Sequence, residues 1–292
     1  MKRLTGVLLI IISAAAFGTL AIFGKFLYAD GLDTFTLLFL RFAFAASVMT
    51  LILILRREPL PRGRVLAQLI GMGALGYVGQ SFTYLSAIKY ASAGLVALLL
   101  YLYPMFVLIL SVIFLREKVT WPKALALTLA LTGAALTARP EGGQVLGIIF
   151  AVVSAVIYSI YIIVGAGVMK RVSAVQSSLV IFASAAAVYG TLTLVNDAHF
   201  PQSSFGWWSL AGIVIVATVI PVTTFLAGLE RIGPTNASLL STLEPLVTVL
   251  LAAWLFAERL EPITLVGGAL ILVAVVVLTR SEMNQKLTVP EV

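Results

Sequence analysis

The chain has 292 residues, 61% hydrophobic and only 11% charged, with a mean hydropathy of +1.11 and a formal net charge of +7. A soluble domain is nearer half apolar and a quarter charged, so this composition excludes an ordinary water-soluble fold and points to lipid as the solvent. The absence of cysteine excludes disulfides and thiol chemistry.

Ten apolar stretches follow one another, near 4–24, 33–55, 65–86, 92–115, 121–138, 144–165, 175–195, 207–229, 235–257 and 262–279. Each is close to the roughly 20 residues that cross a hydrocarbon core about 30 Å thick. None shows strand alternation, so the expected class is an all-α polytopic membrane protein with ten transmembrane helices. The first stretch is too long, and too continuous with the rest, for a cleaved signal. Basic residues crowd alternate connections: Lys2 and Arg3, then Arg56, Arg57, Arg62 and Arg64, then Arg116, Lys118 and Lys123, then Lys170 and Arg171, then Arg231, then Arg280 and Lys286. The intervening connections hold only Lys25, Lys89, Arg139 and Arg259. The positive-inside rule then places both termini in the cytoplasm. The basic excess reflects topology, so no nucleic-acid partner is expected.

Within the spans, polar residues are few and grouped. Phe17 and Ser13 share a face of the first span, and Arg41 lies inside the second. The third offers Tyr77, Gln80, Ser81 and Tyr84 at i, i+3, i+4 and i+7, one helix face. Its run "GMGALGYVG" allows close backbone approach. In the fourth, Tyr101 and Tyr103 precede Pro104, which cannot donate to the carbonyl of Leu100 and so breaks the helix. The two tyrosines sit on opposite sides of an ideal helix, and a loosened turn admits either to a common site. Ser154, Tyr158 and Tyr161 form a stripe in the sixth span. The loop "NDAHFPQSS" carries His199, the lone histidine, read as simply solvated. Trp207, Trp208 and Trp254 read as interfacial anchors. In the ninth span Ala237, Ser241, Glu244 and Thr248 share a wheel stripe, with Pro245 directly after the acid. Ionisable residues at this depth cost about 2.5–3.5 kcal/mol each and usually face a cavity or a partner, and broken helices are tolerated where they line one. Glu244 therefore either borders a wetted chamber or serves as glue, protonated or bonded to Arg41 or a freed backbone group. Glu117 and Glu258 sit at span ends beside Arg116, Lys118 and Arg259 and read as interfacial ion pairs or stops. Residues 281–292 read as a disordered cytoplasmic tail.

The sequence is also written twice. A shift of 141 residues, without a gap, places Gly6, Ser13, Thr83, Pro104, Glu117 and Arg139 on Gly147, Ser154, Thr224, Pro245, Glu258 and Arg280. Each half, 1–140 and 141–280, holds five spans. Five is odd, so the second copy enters the membrane from the opposite face: a 5+5 inverted repeat, an architecture that places a site between the halves and permits alternating access.

The segments "YLYPMFVLILSVIFLREKV" and "TLEPLVTVLLAAWLFAERL", each a proline-interrupted span ending in an acid, resemble the fourth and ninth spans of the drug/metabolite transporter superfamily. The EamA branch is the most similar over essentially the whole chain, and the Tyr-rich first half looks like the bacterial YddG exporters of aromatic and other amino acids. The resemblance implies amino-acid export across the bacterial inner (plasma) membrane.

The expected substrate-binding set is Phe17, Tyr77, Gln80, Ser81, Tyr84, Tyr101, Tyr103, Tyr158, Tyr161, Ser241 and Glu244, with Pro104 and Pro245 as helix breaks. Such walls suit small amphipathic solutes, and Glu244 suits an α-ammonium group. Phosphorylated solutes would want fixed cations, for which Arg41 is the only candidate. No catalytic constellation or metal-ligand cluster is present, so neither enzyme activity nor a metal or other cofactor is expected. The ATP-binding pattern GxxxxGK[ST] is absent, so transport is secondary. Partners are the bilayer and the small-molecule solute, with a monomer sufficient. The rival is an organic-cation or multidrug exporter of the same superfamily.

Overall fold

In the computed structural model, residues 2–88, 90–91, 96, 99–137, 145–256 and 262–284 are described, and all their regular elements are helical. They are α1 (Lys2–Gly18), α2 (Leu20–Ala29), α3 (Thr34–Arg56), α4 (Gly63–Gly71), a π-helical segment π1 (Met72–Tyr77) and α5 (Val78–Ile88). There follow α6 (Tyr103–Leu115), α7 (Trp121–Thr137), α8 (Val145–Val168), α9 (Ala174–Val195) and α10 (Ser204–Val214). A second π segment, π2 (Ile215–Val219), leads into α11 (Ile220–Ile232), α12 (Pro234–Leu240), α13 (Leu243–Phe256) and α14 (Pro262–Asn284). The expectations for Glu258, for the start of the fourth span at 92–95, for Lys89, Arg139 and Arg259, and for tail residues 285–292 lie outside the described residues.

Among the described residues, seven helical stretches are long and apolar enough to cross a membrane, and three shorter apolar helices, Tyr103–Leu115, Trp121–Leu136 and Leu265–Ser281, accompany them. The protein is thus a polytopic, multi-pass membrane protein. Its outer surface is itself apolar, with Leu55, Phe114, Leu194, Trp208 and Trp254 exposed, as lipid contact demands.

Two boundaries differ from the periodicity reading. The first apolar stretch does not stop at residue 24. It breaks at Thr19, whose hydroxyl donates to Ala16 O at 2.7 Å, and resumes as α2 through Lys25 to Ala29. Lys25 reads as a stop in sequence, but its exposed position on α2 leaves the helix intact. The last helix likewise runs to Asn284, so residues 281–284 are helical.

The proline breaks fall where expected. A turn at 101–102 precedes α6, with Pro104 in its first turn, and a turn at 241–242 precedes α13, with Pro245 there. The two π segments also fall in matching places, in the third and eighth spans. Thr218 accommodates its own by donating to Ile213 O at 2.7 Å, a carbonyl that the wider turn frees.

Helix pairing repeats between the halves. Helix α1 packs on α11 and α5 on α8; α3 packs on α9 and α7 on α14; α6 contacts α8 as α13 contacts α1. The Ser13 hydroxyl donates to Pro221 O at 2.8 Å and the Ser154 hydroxyl to Gln80 O at 3.0 Å. Both the donors and the acceptors are related by the 141-residue shift. A Cβ on Gly6 would lie 2.6 Å from the Ile232 side chain, and one on Gly147 2.9 Å from that of Ala91, again the same pair of places. Small residues here let backbones meet.

The connections sort to two ends of the bundle. At one, the Ser173 hydroxyl contacts Glu58, Gln176 Nε2 donates to Pro59 O at 2.6 Å and Thr235 Oγ1 to Glu117 Oε2 at 2.8 Å. Glu117 also pairs with Lys123; its ion-pair partner is thus on the next helix, not adjacent in sequence. At the opposite end Asp30 accepts from the backbone of Gln202 and Ser203, at 2.8 and 3.2 Å, and Asp33 from that of His199 at 3.2 Å. His199 is therefore more than solvated: its Nδ1 lies 3.7 Å from the Asp33 carboxylate. Asp33 also caps α3, accepting from Phe35 and Thr36. Burial raises the Asp33 carboxyl, but hydrogen bonds from Thr36, His199 and Phe35 outweigh it and hold the group below its ordinary value. Hydrogen bonding from the Ser203 side chain leads the causes that lower Asp30 in the same way.

Candidate functional site: a cavity between the halves

A cavity of about 720 Å³ lies among α2, α3, π1, α5, the 101–102 turn, α8 and α13. Its wall contains Phe17, Tyr77, Gln80, Ser81, Tyr84, Tyr101, Tyr103, Tyr158, Tyr161 and Glu244, together with Pro245. The single face read in the third span is kept intact because π1 ends at Tyr77 and regular α-helix follows it. Both Tyr101 and Tyr103 reach the wall, with ring centroids 6.5 Å apart, because the turn between them abandons ideal helical phase.

Two expected residues stand elsewhere. Ser241 is 5% exposed and donates to Ala237 O at 2.9 Å, so it is not part of the wall. The 241–242 turn breaks the helical phase that would put Ala237 and Ser241 on one face with Glu244 and Thr248, and Ser241 lies beside Tyr103 instead. Pro104 is buried in α6 and acts on the backbone alone. Conversely, Leu20, Ala21, Gly24, Lys25 and Tyr28 line the cavity from α2. Their spacing of three and four residues continues the Phe17 face, a signal visible only once the helix is known to run past residue 24. Ala21, Lys25 and Tyr28 are exposed, so the cavity reaches the end of the bundle that carries Asp30 and Asp33. In α8 beyond Tyr161, the side chains of Met72 and Leu229 lie against Gly165.

Much of the wall is aromatic. Ring centroids run from Tyr103 to Tyr158 at 4.8 Å, Tyr158 to Tyr161 at 6.1 Å, Tyr161 to Tyr77 at 5.9 Å and Tyr77 to Phe42 at 5.2 Å. Such pairs prefer edge or offset geometry and hold one another rigidly. Tyr103 is anchored further by its hydroxyl, which donates to Ser238 O at 3.3 Å. Gln80 Nε2 donates to Ser154 Oγ at 3.3 Å and so joins the two halves at the wall.

Besides Lys25, Arg41 and Glu244 bring charge to this cavity. Arg41, 5% exposed, donates from Nε to Thr218 Oγ1 at 2.6 Å and from Nη2 to Ala217 O at 3.4 Å, with its guanidinium carbon 5.0 Å from the Phe42 centroid. Glu244 has no side-chain hydrogen bond or ion pair among the described residues. Thr248, expected to keep it polar company, donates instead to Gly18 O at 3.0 Å and to the Glu244 backbone carbonyl at 3.1 Å. Arg41 and Glu244 do not pair with each other, so the reading of Glu244 as glue tied to Arg41 or to a freed backbone group does not describe this conformation.

A bundle of apolar helices around an aromatic, partly charged hollow is the build of a membrane transporter. The model of the EamA-like transporter family matches the chain twice, over residues 4–139 and 145–280. The chain belongs to the EamA-like transporter family, within the drug/metabolite transporter superfamily. It is similar to an uncharacterized transporter of Archaeoglobus fulgidus, 29% identical over 276 residues that cover 93% of this chain and 95% of that one. A second from the same organism is 28% identical, over 82% of this chain and 87% of that one. The uncharacterized transporter YcbK of Bacillus subtilis is 23% identical, over 90% and 88% respectively. A solved crystal structure shares the fold with a TM-score of 0.82 at 20% identity, covering 97% of this chain and 99% of that one.

Proposed function

We propose that the protein is a secondary transporter exporting small amphipathic metabolites, aromatic and other neutral amino acids foremost, across a bacterial inner membrane. Ten spans in two oppositely oriented five-helix copies, residues 1–140 and 141–280, rock about the central cavity, with both termini cytoplasmic. The observation that carries this reading is the aromatic cavity holding an unpaired Glu244. Its walls stack on an apolar or aromatic body, and its carboxylate receives an α-ammonium group. The exchange of helix pairings and of the Ser13 and Ser154 hydrogen bonds between the halves supports the repeat. Under this topology the cavity faces the exterior, since it reaches the end bearing Asp30 and Asp33.

The test is counterflow in proteoliposomes of purified protein, screening the twenty amino acids and several organic dye cations. Neutral amino acids should exchange, and Glu244→Gln should weaken that exchange on the order of tenfold or more, the loss of one charge-assisted hydrogen bond. Unaltered kinetics in the variant would remove the ammonium role, and exchange of cations alone would identify the protein as an organic-cation exporter.

A further inference from the structure

We infer that Arg41 and Glu244 form the two ends of a receptor for a zwitterion, Arg41 taking the solute's carboxylate while Glu244 takes its ammonium group. This rests on the transport reading above and narrows its substrate class. Both side chains line the same cavity, on helices from different halves. Neither is paired with the other among the described residues. A fold that merely needed to neutralise two charges at this depth would bring them together. This one holds them apart.

The restraint on Arg41 is specific. The π2 segment widens the eighth span and turns Ala217 O and the Thr218 hydroxyl toward α3. Thr218 Oγ1 spends its proton on Ile213 O and so meets Nε as an acceptor. A guanidinium carries five N–H donors in a fixed plane. These contacts use one on Nε and one on Nη2, the Tyr77 hydroxyl lies within hydrogen-bonding reach of the guanidinium as well, and two donors remain. Two protein acceptors and the Phe42 ring fix the plane without supplying an anion. The missing partner is a carboxylate, which a guanidinium binds in a bidentate fork.

A solute that satisfies both ends carries a carboxylate and an ammonium group beside a body that suits tyrosine walls. An α-amino acid does. A lipophilic amine leaves Arg41 unpaired and meets its repulsion; a simple carboxylic acid leaves Glu244 unpaired. Discrimination against organic cations is thereby built into the cavity by Arg41.

The experiment uses the full-length protein in proteoliposomes exchanging neutral amino acids. Competitors are L-phenylalanine, phenethylamine, which lacks the carboxylate, and 3-phenylpropionate, which lacks the ammonium group. Wild type should favour phenylalanine over either analogue on the order of 10- to 100-fold. Arg41→Gln should bring phenylalanine down to the level of phenethylamine, whose own competition should strengthen as the repulsion is lifted, and Arg41→Lys should recover part of the preference for phenylalanine. If Arg41→Gln does not fold, the wild-type analogue series still decides. Thr218→Val, which withdraws the Nε acceptor, should then raise KM for phenylalanine more than for phenethylamine. Phenethylamine competing as well as phenylalanine in wild type, with exchange intact, overturns the two-ended receptor and leaves the transport reading standing. Absence of exchange for every amino acid and cation defeats the transport reading itself.

Discussion

Replacing Gly73 by alanine tests whether π1 sits where the structure has it. An added methyl would lie 2.5 Å from the carbonyl oxygen of Ile181, 3.0 Å from its Cα and 2.9 Å from Ser184 Cβ. The first two are backbone atoms in the middle of α9, which is itself packed along α3, so the neighbour cannot simply rotate away. In an open helical position the same change gains about 0.5–1 kcal/mol by removing glycine's entropy. Overpacking costs about 1–3 kcal/mol, so a net loss of roughly 0.5–2 kcal/mol remains. Gly71 supplies the control: it lies two residues earlier, has helical φ −59° and ψ −41°, and nothing stands within 4 Å of its Cβ position. Gly71→Ala should be neutral or stabilising, and the two variants should differ by about 1–3 kcal/mol in unfolding free energy. Thermal or denaturing-detergent unfolding of purified protein in mild micelles measures the order. Because π1 also carries Gly76 and Tyr77 to the cavity wall, Gly73→Ala should raise the KM for exchange while Gly71→Ala leaves it alone. A Gly73→Ala protein as stable as Gly71→Ala would refute the close approach of π1 and α9.

The loop at 196–203 should respond to acid in a defined window. Asp30 and Asp33 are held below the ordinary carboxylate value of 3.8, so their stabilisation is present above that value and is lost as pH falls through the lowered one. Hydrogen exchange at the amides of His199, Gln202 and Ser203, corrected for intrinsic rates, should accelerate only below about pH 4; acceleration already at pH 6 would contradict the assignment. At the other end, Glu117→Ala strands the nearly buried Lys123 ammonium and removes the acceptor of Thr235. It should cost about 1–3 kcal/mol, the loss of a partly buried pair. Adding Lys123→Met should return part of that, and a silent single variant would count against the pairing.

Much of this protein is written locally. Lipid as solvent makes apolar length decisive, so the helical spans could be read from hydropathy alone. Proline acts through its own missing N–H and its ring, so the breaks before Pro104 and Pro245 needed no knowledge of neighbours. The face of Tyr77, Gln80, Ser81 and Tyr84 was legible because no break interrupts α5. The 141-residue repeat needed only the chain compared with itself.

Tertiary structure decided the rest, and the reason is helical phase. Each residue turns the helix by about 100°, so one turn or π segment of unmarked extent reassigns every face beyond it. That is why Ser241, on the same wheel stripe, lies behind the wall while Glu244 lines it, and why Tyr101 joins Tyr103. Neither π1 nor π2 is announced by its residues, yet π2 supplies the acceptors that hold Arg41. Whether a buried charge is paired is a property of two helices far apart in the chain, and only their packing left Arg41 and Glu244 facing one cavity without touching.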